Sequence, residues 1–174
     1  MILPFSTQLN EKPTFFVEKI LSGFLSKNLK PEETQKSIVH YSTFSASKYD
    51  WTFEMIKEAK PKLHTIREDK NDRWKIGTKI DFFINCLQKD MFRFAPTLKV
   101  VSIQKIKIKW SNKKDYVPQF WYKYVVISID DVYLSCEQCI ELAKNDGFEN
   151  EEDFFEYFSI DFEGKLIHWT NLKY

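Results

Sequence analysis

Apolar side chains recur at helical spacing in the first part of the chain. Between Phe15 and Phe24 they fall on one wide stripe, which predicts an amphipathic helix. Gly23 lies inside this stripe and weakens the prediction for the C-terminal half of the helix. The short apolar run from Ile2 to Phe5 predicts a strand before it.

The next segment predicts two further helices with an extended stretch between them. Pro31 followed by two glutamates is typical of a helix start, because proline fits the first turn and acids favour the positive end of the helix dipole. Asp50 is a suitable N-cap for another helix, which Pro61 ends. Residues 39–47 are rich in Ser, Thr and aromatic side chains and predict a strand or an extended loop.

Alternation of apolar and polar residues predicts strands from residue 78 onwards. The runs Thr78 to Asn85, Leu98 to Trp110 and Phe120 to Ile129 all alternate at least in part. The polar cluster at residues 111–115 predicts the hairpin loop between the last two runs.

The C-terminal part predicts two helices and a last strand. Ser135 with Gln138 forms a capping box, and Gly147 suits the position after the helix end. Glu151 to Phe158 predicts a second short helix, and Lys165 to Thr170 a strand. This order of elements predicts an α+β fold, a small mixed β-barrel with flanking helices, rather than a doubly wound sheet.

Length and composition fit one domain spanning residues 1–174. The 174 residues are 43% hydrophobic and 17% aromatic, which is enough for one core and argues against disorder. The net charge of +1 excludes a globally basic nucleic-acid coat, so phosphate contacts would need a local patch. No run approaches the roughly 20 apolar residues of a membrane helix, and no signal-peptide pattern is visible. We therefore expect a soluble, cytoplasmic protein with no membrane partner.

The cysteines give no sign of a metal site or a disulfide framework. Their odd number predicts reduced thiols, and Cys136 and Cys139 lie within a predicted helix with no second pair to close a zinc site. No phosphate loop, dinucleotide fingerprint or Ser-His-Asp spacing is present. The sequence thus predicts no cofactor and no metal.

Residues 60–80 contain the most informative motif. The chain has KLHTIR at residues 62–67, followed by RWKIGTKI at residues 73–80. These runs resemble the signature of the ASCH domain family, a branch of the PUA-like barrels. Lys62, Thr65 and Arg67 match the Lys, Thr and Arg of its G-x-K-x-x-T-x-R element, and Gly77 matches its turn glycine, with Thr78 in place of the usual Asp.

Two further features extend or limit the resemblance. The segment from Cys139 to Phe148, followed by Glu152 to Phe155, is similar to the family's acidic residue and Gly-Phe pair between two helices. The family glycine two residues before the Lys is Lys60 here, so we expect a reshaped loop if that glycine serves a close approach. The resemblance implies a PUA-like barrel with a helical insertion near residues 23–60, which we expect to cover one mouth of the barrel.

The resemblance implies RNA or a modified nucleoside as the ligand. In the small ASCH enzymes a Lys, a Thr and a Glu deacetylate an acetylated cytidine, and the matching residues here are Lys62 and Thr65. The Glu aligns with Gly147, so the adjacent Asp146 is the candidate acid. A Thr hydroxyl needs a base to become a nucleophile, and a lysine can be that base if burial lowers its pKa.

A cationic surface around the motif is the candidate ligand-binding site. Its members are Arg67, His64, Arg73, Lys75 and Lys79, with Arg67 suited to an oxyanion or a phosphate. The same residues are equally consistent with a solvated cationic edge, and Thr65 with an ordinary strand residue.

A second cationic stripe lies on one predicted strand, at Lys105, Lys107 and Lys109. Alternate charged residues usually mark the solvent side of a sheet, although they also align along one edge where phosphate binds. Nearby Trp and Tyr residues at 110, 121 and 122 are either a stacking platform for bases or part of the core.

Three functions remain open from the sequence. The first is a module that binds RNA or a modified nucleoside in a basic cleft at Lys62 and Arg67. The second is an amidohydrolase that removes the acetyl group of N4-acetylcytidine with Thr65 and Lys62. The third is a non-catalytic protein-interaction domain. The oligomeric state does not follow from the sequence.

Overall fold

The computed structural model describes residues 1–46, 51–111 and 116–174. The chain divides into two units, each built from two separate segments. The first unit contains residues 1–63 and 77–99, and the second contains residues 64–76 and 100–174. Among the described residues, no helix has both the length and the apolar content that crossing a membrane requires.

Helices and strands are mixed in an α+β arrangement, as the sequence predicts. In the described part of the chain the strands form open sheets and not a closed ring. The elements in chain order are β1 (Ile2–Pro4), β2 (Gln8–Leu9), β3 (Lys12–Pro13), α1 (Phe16–Ser26), α2 (Pro31–Ser45), α3 (Phe53–Glu58), β4 (His64–Arg67), β5 (Lys79–Ile84), β6 (Phe92–Arg93), β7 (Leu98–Lys99), β8 (Ser102–Trp110), a 3₁₀ helix (Pro118–Lys123), β9 (Val125–Ile129), β10 (Val132–Tyr133), α4 (Cys136–Asn145), α5 (Glu151–Tyr157) and β11 (Phe162–His168).

Strand β5 organises the first unit. β1 pairs with it in parallel, and β6 and β7 pair with it in antiparallel fashion at its two ends. Its alternate side chains Ile80, Phe82 and Ile84 are buried, which confirms the predicted face. Phe82 packs edge-on against Phe24 of α1, with ring centroids 5.3 Å apart. The apolar stripe of α1 thus covers the buried face of this sheet.

Helix α1 continues through Gly23 to Ser26. The main chain at Lys62 packs against Gly23 and leaves no room for a side chain there. A Cβ atom at Gly23 would lie 2.7 Å from the carbonyl oxygen of Lys62. The Lys62 N–H donates to the carbonyl oxygen of Lys19 at 2.9 Å, so the main chain at Lys62 lies directly against the helix. Glycine at this position is a packing requirement and not a helix end.

Residues 39–45 are helical, so the prediction of a strand or extended loop there is wrong. Helix α2 buries Thr34, Ile38, Tyr41 and Ser45, which recur at helical spacing. Packing of this narrow face outweighs the β preference of the individual residues. The predicted N-cap Asp50 lies outside the described residues, and Thr52 caps α3 by accepting from the N–H of Met55 at 3.2 Å.

The second unit contains a five-stranded antiparallel sheet in the order β10-β9-β8-β11-β4. Strand β11 pairs with both β8 and β4, and its His168 lies opposite Ser102 on one side and His64 on the other. The predicted capping box of α4 is confirmed at Ser135 and Gln138. Gly147 adopts φ 91°, a left-handed conformation that glycine tolerates and that ends the helix.

Only the end of the predicted strand at residues 120–129 is a strand. Pro118 begins a 3₁₀ helix that runs to Lys123, and the strand starts at Val125. Trp121 within this short helix is buried, and its ring lies 4.8 Å from that of Phe155. The aromatic side chain therefore anchors the chain to α5 at the point where the alternation suggested an extended backbone.

Replacing Gly23 by alanine should lower the stability of the protein. A methyl group at this position meets main-chain atoms, and overpacking of about 1–3 kcal/mol exceeds the gain of about 1 kcal/mol in helix propensity. Urea denaturation of Gly23→Ala should show the loss, whereas the exposed α2 variant Gln35→Ala should stay within about 0.5 kcal/mol of wild type. A Gly23→Ala protein more stable than wild type would contradict the packing requirement.

Candidate functional site

The predicted catalytic residues are buried and belong to different units. Lys62 lies in the first unit, and Thr65 and Asp146 lie in the second. Lys62 and Thr65 are each 1% exposed. The Lys62 ammonium lies 4.7 Å above the centre of the Phe16 ring, a cation–π contact that compensates part of its burial.

Asp146 is held against the strand that carries the motif. Its Oδ1 accepts from the N–H of Ile66 at 3.2 Å and lies 3.4 Å from Nδ1 of His64. Asp146 follows the last residue of α4, so the helix end delivers the carboxylate to β4. The structure therefore unites two predicted site residues, His64 and Asp146, in one buried cluster.

Tyr174 completes this cluster. Its hydroxyl hydrogen-bonds with Nε2 of His64 at 2.9 Å and accepts from Nδ2 of Asn145 at 3.0 Å. Burial raises the pKa of the Tyr174 hydroxyl, which stays protonated, and the tautomer of His64 sets which of the two groups donates in this bond. Gln104 fixes the main chain of Tyr174 through bonds of 2.8 and 3.0 Å.

His168 lies beside this cluster and is 0% exposed. Its ring centre is 5.3 Å from that of His64. Neither ring nitrogen has a hydrogen-bond partner in the described part of the chain. Burial lowers the pKa of His168 to about 3, with the neighbouring His64 and Lys173 acting in the same direction. His168 is therefore neutral at physiological pH.

Arg67 is the last residue of β4 and a predicted ligand-binding residue. It is half-buried, and desolvation lowers the pKa of its guanidinium while the charge of Asp146 raises it. Arginine starts from so high a pKa that it remains charged here.

The other predicted cations are exposed, Arg73 and Lys75 in the second unit and Lys79 in the first, and acids lie close to Lys75. Lys75 pairs with Asp72, and Lys165 pairs with both Asp72 and Asp69, the latter at 2.8 Å. Hydrogen bonds from these two lysines lower the pKa of Asp72 to about 2. Arg73 and Lys79 are exposed. This pairing favours the solvated cationic edge over a dedicated phosphate site.

The lysine stripe of β8 is likewise neutralised. Lys105 pairs with Glu163 at 3.0 Å, Lys107 with Asp131 at 2.6 Å and Lys109 with Asp161 at 3.0 Å. Exposed ion pairs of this kind contribute little to stability, and they reduce the net field that would attract phosphate.

A cavity of about 590 Å³ in the first unit is the feature that the sequence analysis missed. This volume falls within the range of about 300–1,000 Å³ that small-molecule sites occupy. The cavity lies between the start of α1, the end of α2 and the end of β5. Its described lining consists of Thr7, Gln8, Pro13, Thr14, Phe15, Phe16, Val17, Glu18, Tyr41, Phe44, Ser45, Ile84, Asn85 and Asp90.

Glu18 is the buried acid of this cavity and is 3% exposed. Its Oε1 accepts from the Tyr41 hydroxyl at 2.6 Å. Burial raises the pKa of the Glu18 carboxyl, although the bond from Tyr41, its own backbone N–H and the charge of Lys19 act in the opposite direction. A carboxyl whose pKa is raised inside a cavity is typical of a functional site.

The aromatic wall of the cavity is held in place by its surroundings. Phe15 has φ 52°, a left-handed conformation that a bulky residue adopts only at a cost. Its ring packs edge-on against Trp51 at 5.5 Å. Phe44 stacks on Phe92 with ring centroids 4.1 Å apart. Rings fixed in this way are suited to flat ligands, because little conformational freedom is lost on binding.

One signal in the sequence points to this cavity. Glu18 interrupts the apolar stripe of α1 between Val17 and Ile20, and a buried acid on such a face needs an explanation. The other lining residues come from segments far apart in the chain, so no local pattern links them.

The described residues contain no group of three or more His, Cys, Asp or Glu side chains placed to hold a metal ion. All three cysteines are free: Cys139 is buried, Cys86 half-buried and Cys136 exposed. Burial raises the pKa of the Cys139 thiol to about 12, which makes it unreactive.

Comparison of the chain with protein-family models, with curated proteins and with solved structures finds no match in any of the three.

Removing the Asp146 carboxylate should destabilise the second unit. Asp146→Ala leaves the buried N–H of Ile66 without this acceptor, and a loss of about 1–3 kcal/mol in unfolding free energy is expected. Glu141→Ala, on the exposed face of the same helix, should change stability by less than about 0.5 kcal/mol. Urea denaturation of both variants provides the comparison, and equal losses would show that the carboxylate has no special role.

Buried neutral His168 should make stability depend on pH. The unfolded chain binds a proton near the ordinary pKa of 6.5, whereas folded His168 does so only near about 3. The unfolded state therefore holds more protons in this window, and stability falls as the pH is lowered through it, by up to about 1.4 kcal/mol per pH unit.

Urea denaturation at two pH values within this window measures the effect of His168. Wild type should lose more unfolding free energy between them than His168→Gln does. His40→Gln, which changes an exposed histidine, is the matched control and should keep the wild-type dependence. A His168→Gln protein with an unaltered pH dependence would contradict the assignment.

Proposed function

We propose that this chain binds the base of a modified nucleoside, free or within RNA, in the cavity of the first unit. The observation that carries the proposal is a buried carboxyl, Glu18, in a cavity walled by Phe15, Phe16 and Phe44. Aromatic rings accept the faces of a base by stacking, and a carboxylate accepts the N–H groups on its edge. Asn85 and Gln8 add amide groups to the same lining.

The cavity supports this function better than a basic cleft at Lys62 and Arg67. Lys62 is buried with its ammonium against Phe16, and the exposed Lys75 and the half-buried Lys165 are paired with acids. A site that holds phosphate would need accessible positive charge. A nucleoside or a single base therefore fits the chain better than a polyanionic duplex.

The hydrolase alternative receives no specific support from the geometry. A Thr65 nucleophile has to reach its substrate, and the residue is 1% exposed. Asp146, the candidate acid, is engaged with Ile66 and His64. Chromatography of N4-acetylcytidine incubated with the protein would detect any loss of its acetyl group.

We also propose that the fold is related to the PUA-like barrels of the ASCH type, with sheets that are open in the described residues. The last four residues of the KLHTIR run, His64–Arg67, form β4, the edge strand of the five-stranded sheet, and Asp146 contacts that strand. These two features support the resemblance in the motif and in the segment between two helices.

Calorimetric titration with a panel of nucleosides tests the function. We expect at least one modified nucleoside to bind, and Phe44→Ala to weaken that binding about tenfold or more, because base–aromatic stacking contributes about 1–3 kcal/mol. Phe44 lies at the cavity mouth and is partly exposed, so its truncation should leave the fold intact.

Val39→Ala is the matched control for this titration. Val39 lies on the same helix, is exposed and does not line the cavity, so its variant should bind as wild type does. Absence of binding to every nucleoside would sink the proposal. Binding that depends on Arg73 and Lys75 instead of Phe44 would move the site to the cationic edge.

A further inference from the structure

The charged residues in the described lining of the cavity are all acidic. This lining contains the two acids Glu18 and Asp90, and none of its described members is a lysine, arginine or histidine. Asp90 is exposed at the rim, where its Oδ2 accepts from Nδ2 of Asn85 at 2.6 Å. The two carboxylates of this described lining favour positively charged ligands and oppose phosphate groups.

The described residues compensate the negative charge of the Glu18 carboxylate only in part. Its stabilising contacts are the Tyr41 hydroxyl, its own backbone N–H and the charge of nearby Lys19. Among the residues that the structure describes, no lysine or arginine forms an ion pair with it within 4.0 Å. Glu18 already occupies the positive end of α1, so the helix dipole is used as well. A buried carboxylate in this state gains most from a partner that brings positive charge.

The aromatic wall favours the same kind of ligand. Aromatic faces attract cations through their quadrupole, and one ring of this wall already does so, since the Lys62 ammonium lies over Phe16. Phe15 and Phe44 present further rings to the cavity. A flat ligand with a delocalised positive charge would satisfy both the rings and the carboxylate.

We infer that the cavity selects an aromatic ring that carries a positive charge, with Glu18 as the residue that recognises the charge. This inference rests on the proposed function, in which the ligand is a base methylated on a ring nitrogen, as in 1-methyladenosine or 3-methylcytidine. Methylation at these positions leaves the base cationic at neutral pH, whereas methylation on the exocyclic nitrogen leaves it neutral.

Isomeric nucleosides separate charge from shape. 1-methyladenosine and N6-methyladenosine are isomers that differ in the place of the methyl group, and at neutral pH the first carries one additional proton and so a positive charge. 3-methylcytidine and N4-methylcytidine form a second such pair. We expect the cationic isomer of at least one pair to bind about tenfold or more tightly than the neutral one in calorimetric titration at neutral pH.

Glu18→Gln tests the residue that recognises the charge. The amide keeps the size of the side chain and can still accept from Tyr41, so the fold should persist, as thermal unfolding would show. We expect this variant to bind both isomers of a pair within about threefold of each other, because the charge that distinguishes them is gone. Glu32→Gln, an exposed acid on α2 outside the lining, is the matched control and should retain the preference. If Glu18→Gln does not fold, Asp90→Asn at the rim should reduce the preference in part.

The outcomes distinguish this inference from the proposed function. Equal binding of both isomers by wild type would leave the nucleoside function standing and overturn the charge selection. Failure of all nucleosides to bind, together with Glu18-dependent binding of phenyltrimethylammonium, would overturn the nucleoside function and support the charge selection. If neither the nucleosides nor phenyltrimethylammonium binds, both are wrong.

Discussion

The first unit depends on the close contact between α1 and the main chain at Lys62. Gly23 allows the Lys62 carbonyl to approach the helix, and the Lys62 N–H bonds to Lys19. Ser22 donates its hydroxyl to the carbonyl oxygen of Ala59 at 2.6 Å, just before this contact. Both ends of residues 24–61 are therefore fixed on the same helix. Helix α2, which lies within this segment, brings Tyr41 to Glu18 and Phe44 to the cavity.

Local patterns predicted those elements in which the backbone and the side chains favour the same structure. The alternation of β5, the capping box of α4 and the terminal glycine of that helix are all present in the structure. The predictions failed at residues 39–45 and 118–123, where a buried side chain decides the conformation. Tyr41 is drawn to Glu18, and Trp121 to Phe155, and neither partner is visible within the local window.

Of the candidate functional features, the sequence predicted the motif residues but not the cavity. The motif and the segment between two helices predicted His64, Arg67 and Asp146 as site residues, because their own sequence neighbours carry the resemblance, and the structure brings Asp146 to β4. The cavity could not be predicted, since its walls come from segments between Thr7 and Asp90 that only the fold unites. The contact of Gly23 with the main chain at Lys62 is likewise long-range, so no local pattern reveals it.

Residues 24–61 form a segment whose two ends are both anchored on α1. A replacement segment of different length would therefore change the loop-closure entropy only slightly, because this cost rises slowly with length. Exchange of α2 and α3 for another segment would replace one wall of the cavity and leave β5 and its partners in register. Such an arrangement would let ligand preference change through residues 24–61 while the sheet that supports the cavity stays the same.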